Sequence, residues 1–270
     1  MNFHSDEWIM ERVREHYNEA LEHFPEDRIV CLVLQGSQNY GLDYDGSDID
    51  TKLIVTPTFK DIAMNHKAVS TTHVRQNDEH IDFKDIRLYI QTFRKQNLNF
   101  LKILFSPYAI INPMYAEQWN RLVEVREAIA HYNLPQAIKS MRGIAKEKYF
   151  AMEHHYPARM EWINRFGYDP KQLHHLLRVE EYLRRYIDGE SYVSCLKPCA
   201  PDYLKAVKTG LHNLEDARRL ADASIKHIDD MCDEFLKTCT TEVNPEVDAL
   251  LDDVQYKIME IAIKKEIGGD

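Results

Sequence analysis

The chain has 270 residues, of which 44% are hydrophobic and 29% charged, and 44 Asp and Glu against 34 Lys and Arg give a formal net charge of −10. With only 9 Gly and 10 Pro, this composition is that of a globular protein with a full core and excludes collagen-like repeats and long disordered segments. An acidic chain is not expected to coat nucleic acid, because non-specific binding needs a broad positive surface.

No apolar run is long enough to span a membrane, and the first residues, Met1 to Glu7, lack the basic and apolar regions of a signal peptide. The five cysteines form no Cys-x-x-Cys pair. Reduced thiols in a cytoplasmic protein are therefore expected.

The first third of the chain mixes helical and strand patterns. Ser5 is placed to cap a helix whose apolar residues follow helical spacing as far as Phe24. Residues 28–35 form a nearly continuous apolar run that ends at Gly36, which is typical of a buried strand. A second strand is predicted over 48–55, and a third strand region over 69–83 is interrupted by a turn.

From Asp85 onward the apolar residues recur at helical spacing, with Asp85 placed as an N-cap. We expect an α+β protein, with a small mixed β-sheet and flanking helices over residues 1–110 and an all-helical domain over 111–270. Within the second domain, helices are predicted at 114–131, 135–155, 170–187, 203–237 and 246–267.

The segment that joins the first two predicted strands contains most of the candidate catalytic residues. A strand ends at Gly36-Ser37, and a polar loop leads to Asp48 and Asp50 at the start of the next strand. Residues two apart on a strand point to the same face, so both carboxylates project together. Gly36 permits close approach of a ligand to the backbone, and the Ser37 hydroxyl and nearby amides are suited to phosphate oxygens.

A third carboxylate, Asp82, lies between Ile81 and Phe83 in the next predicted strand. Neighbouring carboxylates repel unless cations lie between them, and hard oxygen ligands suit Mg²⁺ or Mn²⁺. Three acids could thus hold two ions, one on a triphosphate and one on the attacking hydroxyl. Ordinary turn chemistry is the alternative interpretation of Asp and Gly in this loop.

This arrangement resembles the nucleotidyltransferase superfamily typified by DNA polymerase beta, whose pattern is a Gly-Gly/Ser after a strand, an Asp-x-Asp/Glu, and a later acid in a strand. The chain is similar in particular to predicted phage and bacterial nucleotidyltransferases associated with RNA repair ligases. That similarity extends to residues 97–107 and 167–178, and covers roughly 30–190.

The resemblance implies transfer of a nucleoside monophosphate from an NTP to a hydroxyl, with release of pyrophosphate, in the cytosol of a bacterium or of a phage-infected host. Asp48 and Asp50 would bind both metals, Asp82 would bind one metal and help to deprotonate the acceptor, and Gly36 and Ser37 would hold the triphosphate. An RNA end such as that of tRNA is the favoured acceptor. A protein hydroxyl and a small alcohol are the alternative acceptors. The alternative function is that of a catalytically silent nucleotide-binding module.

The predicted helix at 170–187 carries Lys171, His174, His175 and Arg178 on one face. Such a stripe is either a solvated face or a phosphate contact, and its match to the family segment favours nucleotide binding. Residues 131–190 contain ten Lys and Arg against eight Asp and Glu, a net +2 within this acidic chain. Arg142, Lys146 and Tyr149 form a second, weaker candidate stripe. The sequence leaves the oligomeric state undetermined.

Overall fold

The computed structural model describes residues 3–239 and 243–268. In these ranges the chain forms two compact units. The first contains residues 3–39, 43–133 and 243–268, and the second contains residues 40–42 and 134–239.

The helices of the described ranges, in chain order, are α1 (Asp6–Ala20), α2 (Phe59–Ala63), α3 (Ile86–Arg94), α4 (Leu98–Leu101), α5 (Ala116–Glu124), α6 (Arg126–Ala130), α7 (Leu134–Ala151), α8 (Met160–Phe166), α9 (Pro170–Ile187), α10 (Tyr192–Leu196), α11 (Pro201–Lys208), α12 (Leu214–Thr238) and α13 (Pro245–Gly268). None of them is both long and apolar enough to cross a membrane.

The first unit is built on a mixed sheet. Its strands in the described part of the chain are β1 (Ile29–Leu34), β2 (Thr51–Val55), β3 (Ser70–Val74), β4 (His80–Asp85) and β5 (Ala109–Ile111), in the order β3-β4-β2-β1-β5. Only β2 and β4 run parallel among these pairs. Strands β1 and β2 are fully buried, as expected for central strands, whereas the edge strand β3 is mostly exposed.

The sheet is packed against α1 on one face. Ile9 and Val13 of α1 are fully buried and join a core with Leu32, Leu53 and Ile81. Ser5 caps α1 by accepting a hydrogen bond from the Trp8 amide at 3.2 Å. Because Ile81 faces this core, its neighbour Asp82 faces the opposite side of the sheet.

The second unit is helical and is centred on α9, which packs against α7, α10, α11 and α12. Leu173, Leu176 and Leu183 of α9 are fully buried, as their helical spacing predicts. The expected fold class, an α+β core followed by helices, is confirmed.

Several details differ from the expectation drawn from the sequence. The short helices α2, α8 and α10 and the short strand β5 were not predicted. The helix expected over 203–237 is interrupted near Gly210, whose φ of +93° belongs to the left-handed region that favours glycine. The expected boundary near residue 110 also differs from the compact units, because β5 pairs with β1 and α13 packs on α3 and α5.

Candidate active site

The loop after β1 is tied back onto itself by Gln38. Its side-chain amide donates to the carbonyl oxygen of Asp48 at 3.0 Å. Gly36 lies beneath this side chain, and a Cβ at that position would come within 2.0 Å of the Gln38 Oε1 atom. Ser37, half-buried, begins a short 3-10 turn over Ser37–Tyr40. Glycine at 36 therefore allows the loop to close onto the segment that carries Asp48.

Asp48 and Asp50 lie in the segment just before β2, which begins at Thr51. Ile49 between them is fully buried, whereas Asp48 is exposed and Asp50 is partly exposed. The Asp50 Oδ1 atom accepts a hydrogen bond from the His80 amide at 3.2 Å, which connects it to the first residue of β4. The strand expected over 48–55 begins only at Thr51, so Asp48 and Asp50 precede it. The buried Ile49 between them leaves both carboxylates on the solvent side of this segment.

Asp82 lies on β4 directly opposite Lys52 of the parallel strand β2. Lys52 therefore lies on the face of the sheet that carries Asp82, whereas Asp50, two residues earlier, precedes the strand. The Lys52 Nζ atom donates to Asp82 Oδ2 at 2.8 Å, and the Thr72 hydroxyl donates to Asp82 Oδ1 at 2.6 Å. Both oxygens of this carboxylate are therefore bonded to protein groups.

The surroundings of Asp82 favour its ionised form. Burial alone would raise its pKa, but the Lys52 ammonium and the hydrogen bonds from Lys52 and Thr72 outweigh burial and lower the pKa of Asp82 below its ordinary value. Lys52 is only 3% exposed and its Nζ lies 4.4 Å from the centroid of the Phe100 ring. Lys84 lies over the same ring at 4.2 Å, and burial, together with the Lys52 charge, lowers the pKa of Lys84.

The donor chemistry of Asp48 and Asp50 fits one hard divalent cation, because carboxylate oxygens are the ligands that Mg²⁺ prefers. The arrangement at Asp82 does not fit a second cation, since Lys52 already neutralises that carboxylate. In the residues that the structure describes, no group of three or more His, Cys, Asp or Glu side chains is arranged to hold a metal ion.

Glu79, at the end of the turn before β4, holds the Asp48–Asp50 segment from the interior. It is 5% exposed, and its Oε1 atom accepts a hydrogen bond from the Ile49 amide at 3.1 Å. Its Oε2 atom accepts from Arg12 at 2.5 Å, Arg75 at 2.8 Å and Asn77 at 2.9 Å, and lies 3.0 Å from His16 Nε2. Burial opposes ionisation, but His16, Asn77, the Ile49 amide and Arg12 together lower the pKa of Glu79 to about 2.

In the second unit, Asp169 caps α9 by accepting from the Lys171 amide at 2.9 Å. His174 is 2% exposed, and its Nδ1 atom lies 2.8 Å from the Leu204 carbonyl oxygen, to which it donates. Burial lowers the pKa of His174 to about 3. Burial, with the charges of Lys171 and Arg178 nearby, also lowers the pKa of His175 well below its ordinary value.

Arg178 is partly exposed, and its guanidinium lies 4.0 Å from the centroid of the Tyr40 ring, a cation–π contact. It also donates to the Leu196 carbonyl oxygen at 3.2 Å. Within the described ranges, no carboxylate lies within ion-pair distance of Arg178. Lys171 and Arg178 therefore give this stripe its positive charge, since the lowered pKa of His175 keeps that ring neutral. Arg178 has no acidic partner in the part of the chain that the structure describes.

The second candidate stripe has a structural explanation. Arg142 pairs with Asp229 and Asp233 of α12, Lys146 pairs with Asp229, and the Tyr149 hydroxyl donates to Asp222. These groups join α7 to α12. The predicted capping role of Asp85 is confirmed, since its carboxylate accepts from the Arg87 amide at 2.8 Å.

Sequence reasoning missed Lys52 and Glu79. A signal for Lys52 was available, because the spacing that puts Asp48 and Asp50 on one face puts Lys52 there as well. Glu79 offered no such signal, since a carboxylate beside a turn is most often a solvated residue.

The chain matches the RNA repair pathway DNA polymerase beta family (RlaP) over residues 9–180, which is more than half of its length. A comparison with the curated proteins finds no match. The matched range contains the loop after β1 and the whole sheet, and it ends within α9, just beyond Arg178.

Proposed function

The chain belongs to the RNA repair pathway DNA polymerase beta family, and we propose that it transfers a nucleoside monophosphate from an NTP to a hydroxyl group at an RNA end, releasing pyrophosphate. The observation that carries this proposal is that Asp50 accepts a hydrogen bond from the first residue of β4, and Asp82 lies two residues farther along the same strand. Membership of the family supports nucleotidyltransferase activity, and Asp48, Asp50 and Asp82 are the acids that this chemistry would use.

In this proposal, Gly36 and Ser37 bind the triphosphate through backbone amides and the Ser37 hydroxyl. Asp48 and Asp50 hold a divalent cation, Mg²⁺ or Mn²⁺, which neutralises phosphate charge when it is bound. Asp82 orients the acceptor hydroxyl and accepts its proton, a role that requires an ionised carboxylate. The lowered pKa of Asp82 keeps this carboxylate ionised at neutral pH. Because a lower pKa also means a weaker base, its larger contribution is to orient the hydroxyl.

For the helical unit by itself, we propose that Lys171, His175 and Arg178 bind phosphate groups of the nucleotide or the RNA. The absence of an ion-pairing carboxylate at Arg178 in the described residues supports this role, because a partly buried cation gains most from an external anion. His174 contributes by fixing α9 through its bond to Leu204. The excess of basic residues over 131–190 supports a polyanionic acceptor.

The test offers the purified protein each labelled NTP with Mg²⁺ or Mn²⁺ and a mixture of cellular RNA and cellular protein. We expect label in the RNA fraction, and we expect Asp48→Asn and Asp50→Asn to lower incorporation by at least about a hundredfold. Asp45→Asn is the matched control, because Asp45 is an exposed acid of the same loop outside the motif.

Two results would contradict the proposal. Label that stays in the protein fraction would indicate nucleotidylylation of a protein hydroxyl. Nucleotide binding without pyrophosphate release on any acceptor would indicate a catalytically silent module.

A further inference from the structure

The face of the sheet opposite α1 carries an ammonium group, that of Lys52, next to the Asp82 carboxylate. Lys52 is 3% exposed, so its ammonium is a nearly buried charge whose stabilisation depends on the groups around it. Those groups are the Asp82 carboxylate at 2.8 Å and the face of the Phe100 ring at 4.4 Å. Lys84 lies over the same ring at 4.2 Å.

A divalent cation bound to Asp82 would have to compete with this ammonium. A metal ion at about 2.1 Å from a carboxylate oxygen would lie close to Lys52 and be repelled by it. Moving Lys52 away would remove the counter-ion of a buried ammonium, which is strongly unfavourable. The position of Lys84 over the same Phe100 ring adds a second positive charge that also disfavours a metal ion here.

The hydrogen bonds of Asp82 lead to the same conclusion. Lys52 bonds one oxygen and the Thr72 hydroxyl bonds the other. The carboxylate is therefore neutralised and oriented by protein groups alone, which is what a metal ion would otherwise do.

We propose that Lys52 is the resident cation of Asp82, so that this protein binds one divalent ion, at Asp48 and Asp50, and no second ion at Asp82. The inference rests on the proposed function for the role of Asp48 and Asp50. Lys52 acts as a positioning residue, because it works through the Asp82 carboxylate rather than by contacting the substrate.

The experiment counts metal ions rather than turnover. The full-length protein is titrated with Mn²⁺ alone, and free Mn²⁺ is measured by electron paramagnetic resonance. We expect one Mn²⁺ per wild-type chain and a second site in Lys52→Met, which removes the ammonium while keeping an unbranched side chain of similar length. Lys84→Met is the matched control, because Lys84 shares the Phe100 ring but makes no ion pair with Asp82, and it should keep one site.

Asp82→Asn provides a second measurement in case Lys52→Met fails to fold. If Lys52 occupies the place of the second ion, Asp82→Asn should leave the single Mn²⁺ site of the wild type unchanged. Two equivalent sites in the wild type, or loss of one bound ion in Asp82→Asn, would overturn the inference.

The two proposals fail in different ways. NTP turnover with two bound ions in the wild type would overturn the role of Lys52 and leave the proposed function intact. One bound ion without turnover on any acceptor would leave the role of Lys52 intact and overturn the proposed function. No Mn²⁺ binding at all would overturn the one-ion site itself.

Discussion

The Ile49 amide lies between the two carboxylates of the proposed cation site, and its hydrogen-bond acceptor is the buried Glu79 carboxylate. The same carboxylate contacts His16, whose other ring nitrogen lies 2.9 Å from the Thr51 hydroxyl. The segment from 48 to 51 is thus held at two points by groups that are themselves buried. A shift of this segment would move both carboxylates together.

We therefore predict that Glu79→Ala lowers kcat by about 10- to 100-fold with little change in the KM for NTP, because misplaced catalytic groups reduce rate more than binding. Glu79→Gln should retain more activity, since its amide oxygen still accepts from Ile49. The kcat and KM of both variants and the wild type are measured by steady-state kinetics, well below the melting temperature of each protein.

The matched control for Glu79 is Asp85→Asn. Asp85 is also a buried carboxylate paired with an arginine in this sheet, but it caps α3 and does not contact the 48–51 segment. Loss of activity in proportion to lost stability in all three variants would show that Glu79 is only structural.

A second prediction concerns pH. Burial lowers the pKa of His174 to about 3, so the folded protein keeps this ring neutral while the unfolded chain binds a proton near pH 6.5. Because the folded-state pKa is depressed, the stabilisation is present above about pH 6.5 and is lost as pH falls toward 3. His175 changes stability in the same direction.

His174→Asn can keep the donor to the Leu204 carbonyl but cannot take up the proton. We expect its free energy of unfolding, measured with urea, to fall less between about pH 7 and about pH 5 than that of the wild type. His154→Asn, the same substitution at an exposed position, is measured alongside as the matched variant. Equal slopes for His174→Asn and the wild type would contradict this interpretation.

At the scale of elements, the loop between β1 and β2 depends on one glycine. A Cβ at residue 36 would meet the end of the Gln38 side chain, which then has to leave its bond to the Asp48 carbonyl. We predict that Gly36→Ala lowers kcat by at least about tenfold with a small loss of stability, because a flexible side chain moves rather than the backbone.

Gly143→Ala is the control for Gly36→Ala. Gly143 lies in the interior of α7 and has open space around its Cβ position, so alanine should stabilise the protein by roughly 0.5–1 kcal/mol and leave kcat unchanged. The stability of both variants is measured by thermal unfolding, and their kcat by steady-state kinetics. Unchanged kcat in Gly36→Ala would show that the Gln38 bond does not position Asp48.

The elements that the sequence predicted well are those with an unbroken local pattern. The helix expected over 170–187 has those limits in the structure, because Pro170 follows the Asp169 cap and the apolar spacing is continuous. The three-residue strand β5 has too little pattern to be recognised, and its place is set by pairing with β1. The position of Asp82 on the face opposite Ile81 was predictable from alternation, whereas the contact of Glu79 with Ile49 depends on folding of the turn before β4.

At the scale of the whole molecule, the chain leaves the first unit at residue 133 and returns to it at residue 243. Helical periodicity shows which face of α13 is apolar but not which elements cover that face. From the sequence, this helix is therefore expected in the helical domain, with the helices that precede it in the chain. In the structure α13 packs against α3 and α5, and Asp248 and Asp253 pair with Arg94 and Arg121 at 2.7 Å.

The last prediction follows from that packing. Val247, Leu251, Val254 and Ile258 of α13 are buried, and at about 1.5–3 kcal/mol for each large aliphatic side chain they contribute about 6–12 kcal/mol. That is comparable to the whole stability of an ordinary domain, about 5–15 kcal/mol. A chain ending after Cys239 should therefore lose cooperative thermal unfolding and bind a hydrophobic dye, although the proposed catalytic residues are all retained.

Glu266→Gln, which alters only an exposed hydrogen bond to the Phe59 amide, should change stability by no more than about 1 kcal/mol. Wild-type unfolding of the shortened chain would mean that α13 is dispensable for the first unit.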